Sequence, residues 1–143
     1  MKGDEVFTLF DKLYIEAYKK EHGKEVEKIY KNNIYKEIYK NVSKYTKQDW
    51  QNLKERLNYI YEDMIVLMDR DPGSVSVQAL VEELRKYYSD SFYKCDLIMF
   101  RALGRLYIED KSFREKINHK KDGLAEFLSE AIEIYCDIHE NRL

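Results

Sequence analysis

What this sequence has little of narrows it before any motif is sought. It holds one proline and five glycines in 143 residues, too few breakers for a chain of many short strands and turns. Two cysteines, Cys95 and Cys136, lie in separate segments, so a disulfide framework is not expected and both are read as free thiols. Three histidines leave little material for a metal centre. Neither sign of charge dominates: 25 Lys and Arg against 27 Asp and Glu give a net charge of -2, which supplies no overall field toward nucleic acid or an anionic membrane. No run approaches the ~18 apolar residues of a spanning helix, and the opening MKGDEVF lacks the apolar centre of a signal peptide. A cytoplasmic protein without membrane contact is expected. The chain suits one domain, which should bury roughly 68% of its unfolded surface.

What is present is helical periodicity. Five to seven helices and no strands are expected, an all-α fold. A first helix is read from about Glu5 to Lys20, closed by His22-Gly23, and a second from Lys24 to Val42 on the ladder Val26, Tyr30, Ile34, Ile38 and Val42. Thr46 with Asp49 three residues on forms a capping box. After it Trp50, Leu53, Leu57, Ile60, Tyr61, Met64, Leu67 and Met68 keep one stripe. Pro72-Gly73 marks a turn, and Ser76 is expected to cap a fourth helix with Val77, Leu80, Val81, Leu84, Tyr87 or Tyr88, and Phe92 inward. Asp96 starts a fifth helix, Asp110 a short one with Phe113 and Ile117, and Gly123 precedes the last. Residues 1–44 carry ten Lys and eight acids, a local +2, and weaker stripes than the remainder at -4. They are therefore read as a mobile N-terminal helical lid, with residues 45–143 as the ligand-binding domain.

Candidate chemistry is sparse. Cys136, His139 and Glu140 share a helical spacing but are more simply a fraying tail, and no metal or other cofactor is expected. Glu-x-x-His is absent, as are Gly-rich phosphate loops, so neither a di-iron bundle nor a nucleotide site is argued. Cys95 stands beside Lys94 at a helix start, two features that lower a thiol pKa, with Asp96 opposing; otherwise it fills space. Glu82-Glu83, Asp69 and Asp71 read as solvated surface. No catalytic constellation is positioned, and the protein is not expected to be an enzyme. The 13 tyrosines, many beside lysine, suit either base stacking or an amphipathic ligand; the mild charge disfavours the first, and ordinary core packing competes with the second.

Three blocks then carry a likeness: Tyr45-Thr46-Lys47-Gln48-Asp49-Trp50 with Leu67-Met68-Asp69; Tyr93-Lys94-Cys95-Asp96 leading to Leu103-Gly104-Arg105-Leu106-Tyr107-Ile108-Glu109-Asp110-Lys111-Ser112-Phe113; and Gly123-Leu124-Ala125-Glu126-Phe127-Leu128 into Ala131-Ile132. In order and spacing they resemble the TipAS antibiotic-recognition domain, the effector-binding module of many MerR-type bacterial regulators. The stretch Tyr18 to Glu25 is similar to the lead-in of such regulators. The resemblance implies a globin-like helical domain without haem, a cleft for bulky, partly apolar antibiotics such as thiopeptides, and an N-terminal portion that closes over the ligand.

One departure concerns capture. Members that trap thiopeptides covalently carry a second thiol seven residues after the position of Cys95; here Ala102 stands there, so reversible binding is expected, with Cys95 as the remaining thiol nearby. Ligand contacts are expected from Trp50, Tyr88, Phe92, Tyr93, Cys95, Met99, Ala102 and Leu103, with Phe10, Tyr14 and Tyr18 from the lid. No recognition-helix pattern precedes Tyr45, so direct DNA contact is not expected of this chain. It reads as an effector domain of a multidrug-responsive regulator or a free-standing, antibiotic-sequestering relative, monomeric in isolation. A protein-interaction module built on Tyr-rich helices is the alternative from another class.

Overall fold

A computed structural model of the chain describes Leu9, Lys12 and residues 24–140, with side chains from residue 33 onward apart from those first two. Among these residues there are six helices and no strand: α1 (Lys24–Val42), α2 (Lys47–Val66), α3 (Val75–Ser91), α4 (Leu97–Glu109), α5 (Lys111–Asn118) and α6 (Leu124–Glu140). None is long and apolar enough to cross a membrane. The expected helix over residues 5–20 lies outside the described residues, except that Leu9 and Lys12 are helical.

Local chemistry sets most boundaries. Thr46 and Asp49 satisfy one another's backbone N–H at the start of α2, at 3.1 and 2.9 Å, the reciprocal arrangement that answers two orphan donors of a helix end. Asp96 caps α4 through Met99 N–H (2.9 Å) and Asp110 caps α5 through Phe113 N–H (2.9 Å). Before α6, Gly123 has φ 86°, a left-handed conformation that a side chain would strain. The start of α3 differs from expectation. Ser74, not Ser76, is its cap, because the Asp71 carboxylate accepts from Gly73 N–H (2.7 Å) and tightens the Pro72-Gly73 turn by enough to begin the helix at Val75.

The core is centred on α4 and α6, which cross most closely. Gly104 makes that approach feasible, since a Cβ there would lie 2.9 Å from Ile132 Cγ2. Around them Val81, Leu84, Phe100, Leu103, Leu128 and Cys136 are almost wholly buried. Helix α1 shares in this core: Ile34 and Ile38 are buried, and polar groups of α1 and of the link to α2 satisfy the irregular turn after α3. Asn41 Nδ2 donates to Phe92 O (2.7 Å), the Glu37 carboxylate accepts from Lys94 N–H (3.0 Å), and Tyr45 Oη donates to Ser91 O. The expected division at residue 44 therefore does not coincide with a packing boundary; the last turns of α1 are docked on the body of the domain.

Candidate functional site

Helix α2, the end of α3 and α5 enclose a cleft of about 170 Å³. It is preferred over a larger hollow of about 710 Å³ near Glu109, Arg114 and Asp122, because ligand sites combine apolar walls with a few convergent polar groups, whereas that hollow is lined almost wholly by ionic and amide side chains. Leu57 and Tyr61 of α2 form one wall of the cleft, Tyr87 and Tyr88 of α3 its floor, and Phe113 and Ile117 of α5 the other wall, with Lys54, Asn58, Lys116 and Lys120 toward solvent.

Each wall is held by its element. Phe113 lies in the first turn of α5, fixed by the Asp110 cap, and stacks on Tyr107 at 4.7 Å between centroids. Tyr61 Oη and Tyr107 Oη are 2.8 Å apart and buried, and the Tyr88 hydroxyl hydrogen-bonds into the same group. Burial pushes the Tyr61 hydroxyl up to about 12 and raises Tyr88 and Tyr107 as well, so all three stay neutral donors and acceptors at physiological pH. Lys120 Nζ bridges the mouth: it donates to Asn58 Oδ1 (3.2 Å) and lies 5.9 Å from the Tyr61 ring centroid. The arrangement offers aromatic faces, neutral hydroxyls and mobile cations, and nothing that activates a nucleophile.

The residues expected at the site are distributed differently. Tyr88 lines the cleft. Trp50 stands at the far end of α2, stacked on Phe92 at 6.2 Å and edge-on to Tyr45 at 5.2 Å. Phe92, Tyr93, Cys95, Met99, Ala102 and Leu103 are each at most 3% exposed and belong to the core, the last three on α4, which packs most closely against α6. Phe10, Tyr14 and Tyr18 lie outside the described residues. Cys95 fills space rather than carrying an activated thiol: burial pushes it up to about 12, against the pull of Arg85. Its carbonyl meanwhile accepts from Arg85 Nε at 2.8 Å.

His139 stacks on Tyr135 at 3.8 Å and its Nδ1 lies 2.8 Å from Tyr135 O, Glu140 pairs with Arg101 at 3.0 Å, and the Cys136 sulfur faces Leu97 O, so these three do not converge. Glu82 is not simply solvated; it accepts the Tyr135 hydroxyl, which in turn accepts from Arg85 at 3.2 Å. Sequence reasoning missed Lys54, Phe113, Ile117 and Lys120 as neighbours of Tyr61. The i, i+4 pair after the Asp110 cap was the available signal, but it identifies a buried face without saying which helix it meets.

Comparison with known proteins accords with this architecture. The model of the TipAS antibiotic-recognition domain matches residues 22–135. The HTH-type transcriptional activator mta of Bacillus subtilis is 38% identical over 127 residues, 89% of this chain and 49% of that protein. The HTH-type transcriptional activator TipA of Streptomyces coelicolor is 28% identical over 102 residues, 70% of this chain and 40% of that one. The chain thus spans about half, or less, of the curated relatives it matches. The solved structure of TipAS from Streptomyces lividans with nosiheptide superposes with a TM-score of 0.68 at 23% identity, covering 87% of this chain and 92% of that one, and so has the same globin-like helical fold.

Proposed function

Since this chain belongs to the TipAS antibiotic-recognition domain family, we propose that it binds bulky amphipathic antibiotics, thiopeptide-like compounds among them, as the effector-sensing part of a MerR-type, multidrug-responsive transcriptional regulator. The observation that carries the reading is the cleft between α2, α3 and α5: aromatic walls that include the neutral tyrosines Tyr61 and Tyr88, and a cationic mouth, in one place. Such a surface suits a large, partly apolar molecule with hydrogen-bonding groups, part of which enters while the rest lies over the opening.

Something must then cover the remainder. Lys12 Nζ is 2.9 Å from Asp110 Oδ2, and Asp110 caps the helix turn that presents Phe113 to the cleft; Leu9 packs against the core. This supports a lid anchored beside the opening. We take it to be the part of the chain before Ile34, because Ile34 and Ile38 are core residues. Capture is reversible in this reading, since Ala102 has no nucleophile and Cys95 is a buried thiol with raised pKa.

The test is calorimetric titration of the chain with nosiheptide and a panel of other amphipathic antibiotics, with thermal unfolding in parallel. Saturable binding that is weakened at least tenfold by Phe113→Ala is expected. Absence of binding by every compound would leave the helical body as a protein-docking module.

A further inference from the structure

The ionic groups on the cleft wall are all of one sign. Lys54, Lys116 and Lys120 line it, and no Asp or Glu does. Lys120 is held across the mouth by Asn58 (3.2 Å) and the Tyr61 ring, while Lys54 and Lys116 are in no ion pair or hydrogen bond among the described residues. Three ammonium groups around one apolar opening repel one another, and a ligand anion is what relieves them.

Size narrows the ligand further. About 170 Å³ compares with the ~150 Å³ apolar cavity that takes up benzene, so one aromatic ring fits at a time. Phe113 and Tyr61 face such a ring from opposite helices, and offset or edge-on contact with them is the favourable geometry.

We propose that the cleft is a subsite for aryl carboxylates: a planar ring packs against Tyr61, Tyr88 and Phe113, and its carboxylate is neutralised by Lys54 and Lys116. A phosphate ligand is a poorer match, because the cleft wall has no arginine fork and the Phe113 N–H in the first turn of α5 is already taken by Asp110. This rests on the small-molecule reading above and narrows it to a chemical class carried by a larger compound or presented alone.

The experiment is an NMR titration of the whole chain with benzoate and with benzamide, which share a single ring and differ in charge. Two partly exposed ion pairs are worth roughly fivefold in affinity, so the acid should bind about that much more tightly than the amide, with shifts concentrated at Leu57, Tyr61 and Ile117. The paired variant Lys54→Ala with Lys116→Ala changes only exposed side chains; it should bring the two affinities together. Equal binding of acid and amide, a preference that survives the paired lysine variant, or shifts mapping elsewhere would overturn the proposal. Nosiheptide is titrated in the same series. If it binds and the acid shows no preference, the subsite is wrong and the antibiotic reading stands; if the acid binds as described and no thiopeptide does, the subsite stands and the thiopeptide reading falls.

Discussion

Cys95 is the residue at which sequence neighbours mislead most. Lys94 and the start of α4 favour a thiolate, yet the side chain is 1% exposed, and removing a negative charge from water outweighs both. Cys136, likewise buried, is also raised to about 12. In the native state at pH 8, neither thiol should react with a water-soluble disulfide reagent over minutes, whereas both should react at once in 8 M urea. Incubation with a dehydroalanine-bearing thiopeptide should therefore leave the intact mass unchanged, and a stoichiometric adduct would refute reversible capture. The buried tyrosines give a complementary prediction in pH. Their folded values are raised above the unfolded value of 10, to about 12 for Tyr61, so the folded form holds protons that the unfolded chain has lost. Their contribution is intact below pH 10 and fades as pH rises from there toward 12. Melting temperature should thus fall steeply above pH 10, and Tyr107→Phe, which removes one of the two hydroxyl partners of Tyr61, should cost about 0.5–1.5 kcal/mol at neutral pH by urea unfolding.

At the scale of elements, two close packings decide where the cleft lies. Gly104 lets α4 settle against α6; an alanine there gains about 0.5–1 kcal/mol of helix preference but forces Ile132 aside, and overpacking costs about 1–3 kcal/mol. Gly104→Ala should therefore destabilise the domain, read as a lower denaturant midpoint with an unchanged slope. Asp110 does two tasks, capping α5 and pairing with Lys12, and its carboxyl is held below the usual range chiefly by Lys12. Asn also caps helices, so Asp110→Asn should remove only the exposed ion pair and cost under about 1 kcal/mol, whereas Asp110→Ala should lose the cap too, about 1 kcal/mol more. These caps were legible because they are local: Thr46 with Asp49, Asp96, Asp110 and Gly123 each act within a few residues of themselves. The start of α3 was read two residues late, since Ser74 and Ser76 both precede apolar positions and only the Asp71 turn chooses between them. Tyr61, Phe113 and Ile117 were legible as inward-facing but not as one site, for which partner each stripe meets is settled by the packing of α4 under α6, far away in sequence.

For the molecule as a whole, the body and the leading segment have different reasons to be ordered. From Ile34 onward the chain has its own core, with α6 tied to α4 by Arg101, whose guanidinium meets Glu133, Asp137 at 2.9 Å and Glu140 at 3.0 Å. In the leading segment, Lys12 pairs with Asp110, a half-exposed contact of the kind worth a few tenths of a kcal/mol to about 1, Leu9 packs against the core, and the apolar stripe read from the sequence is weak. A segment that draws much of its packing from a ligand becomes ordered when the ligand arrives and lowers the apparent affinity by the cost of that ordering. Two measurements on the full chain separate this lid from a passive tail. At a nosiheptide concentration 100 times the dissociation constant, native-state binding alone adds about 2.7 kcal/mol of stability, which for a domain of this size raises the melting temperature by roughly 10 °C. A tail gives that shift and no more. A lid gives it together with slowed amide exchange across residues 5–20, and Asp110→Asn should leave the exchange protection of the core unchanged while reducing that of the leading segment. Exchange in residues 5–20 that is the same with and without the antibiotic, under conditions where the core is measurably stabilised, would reduce the lid to a bystander and confine recognition to the cleft walls.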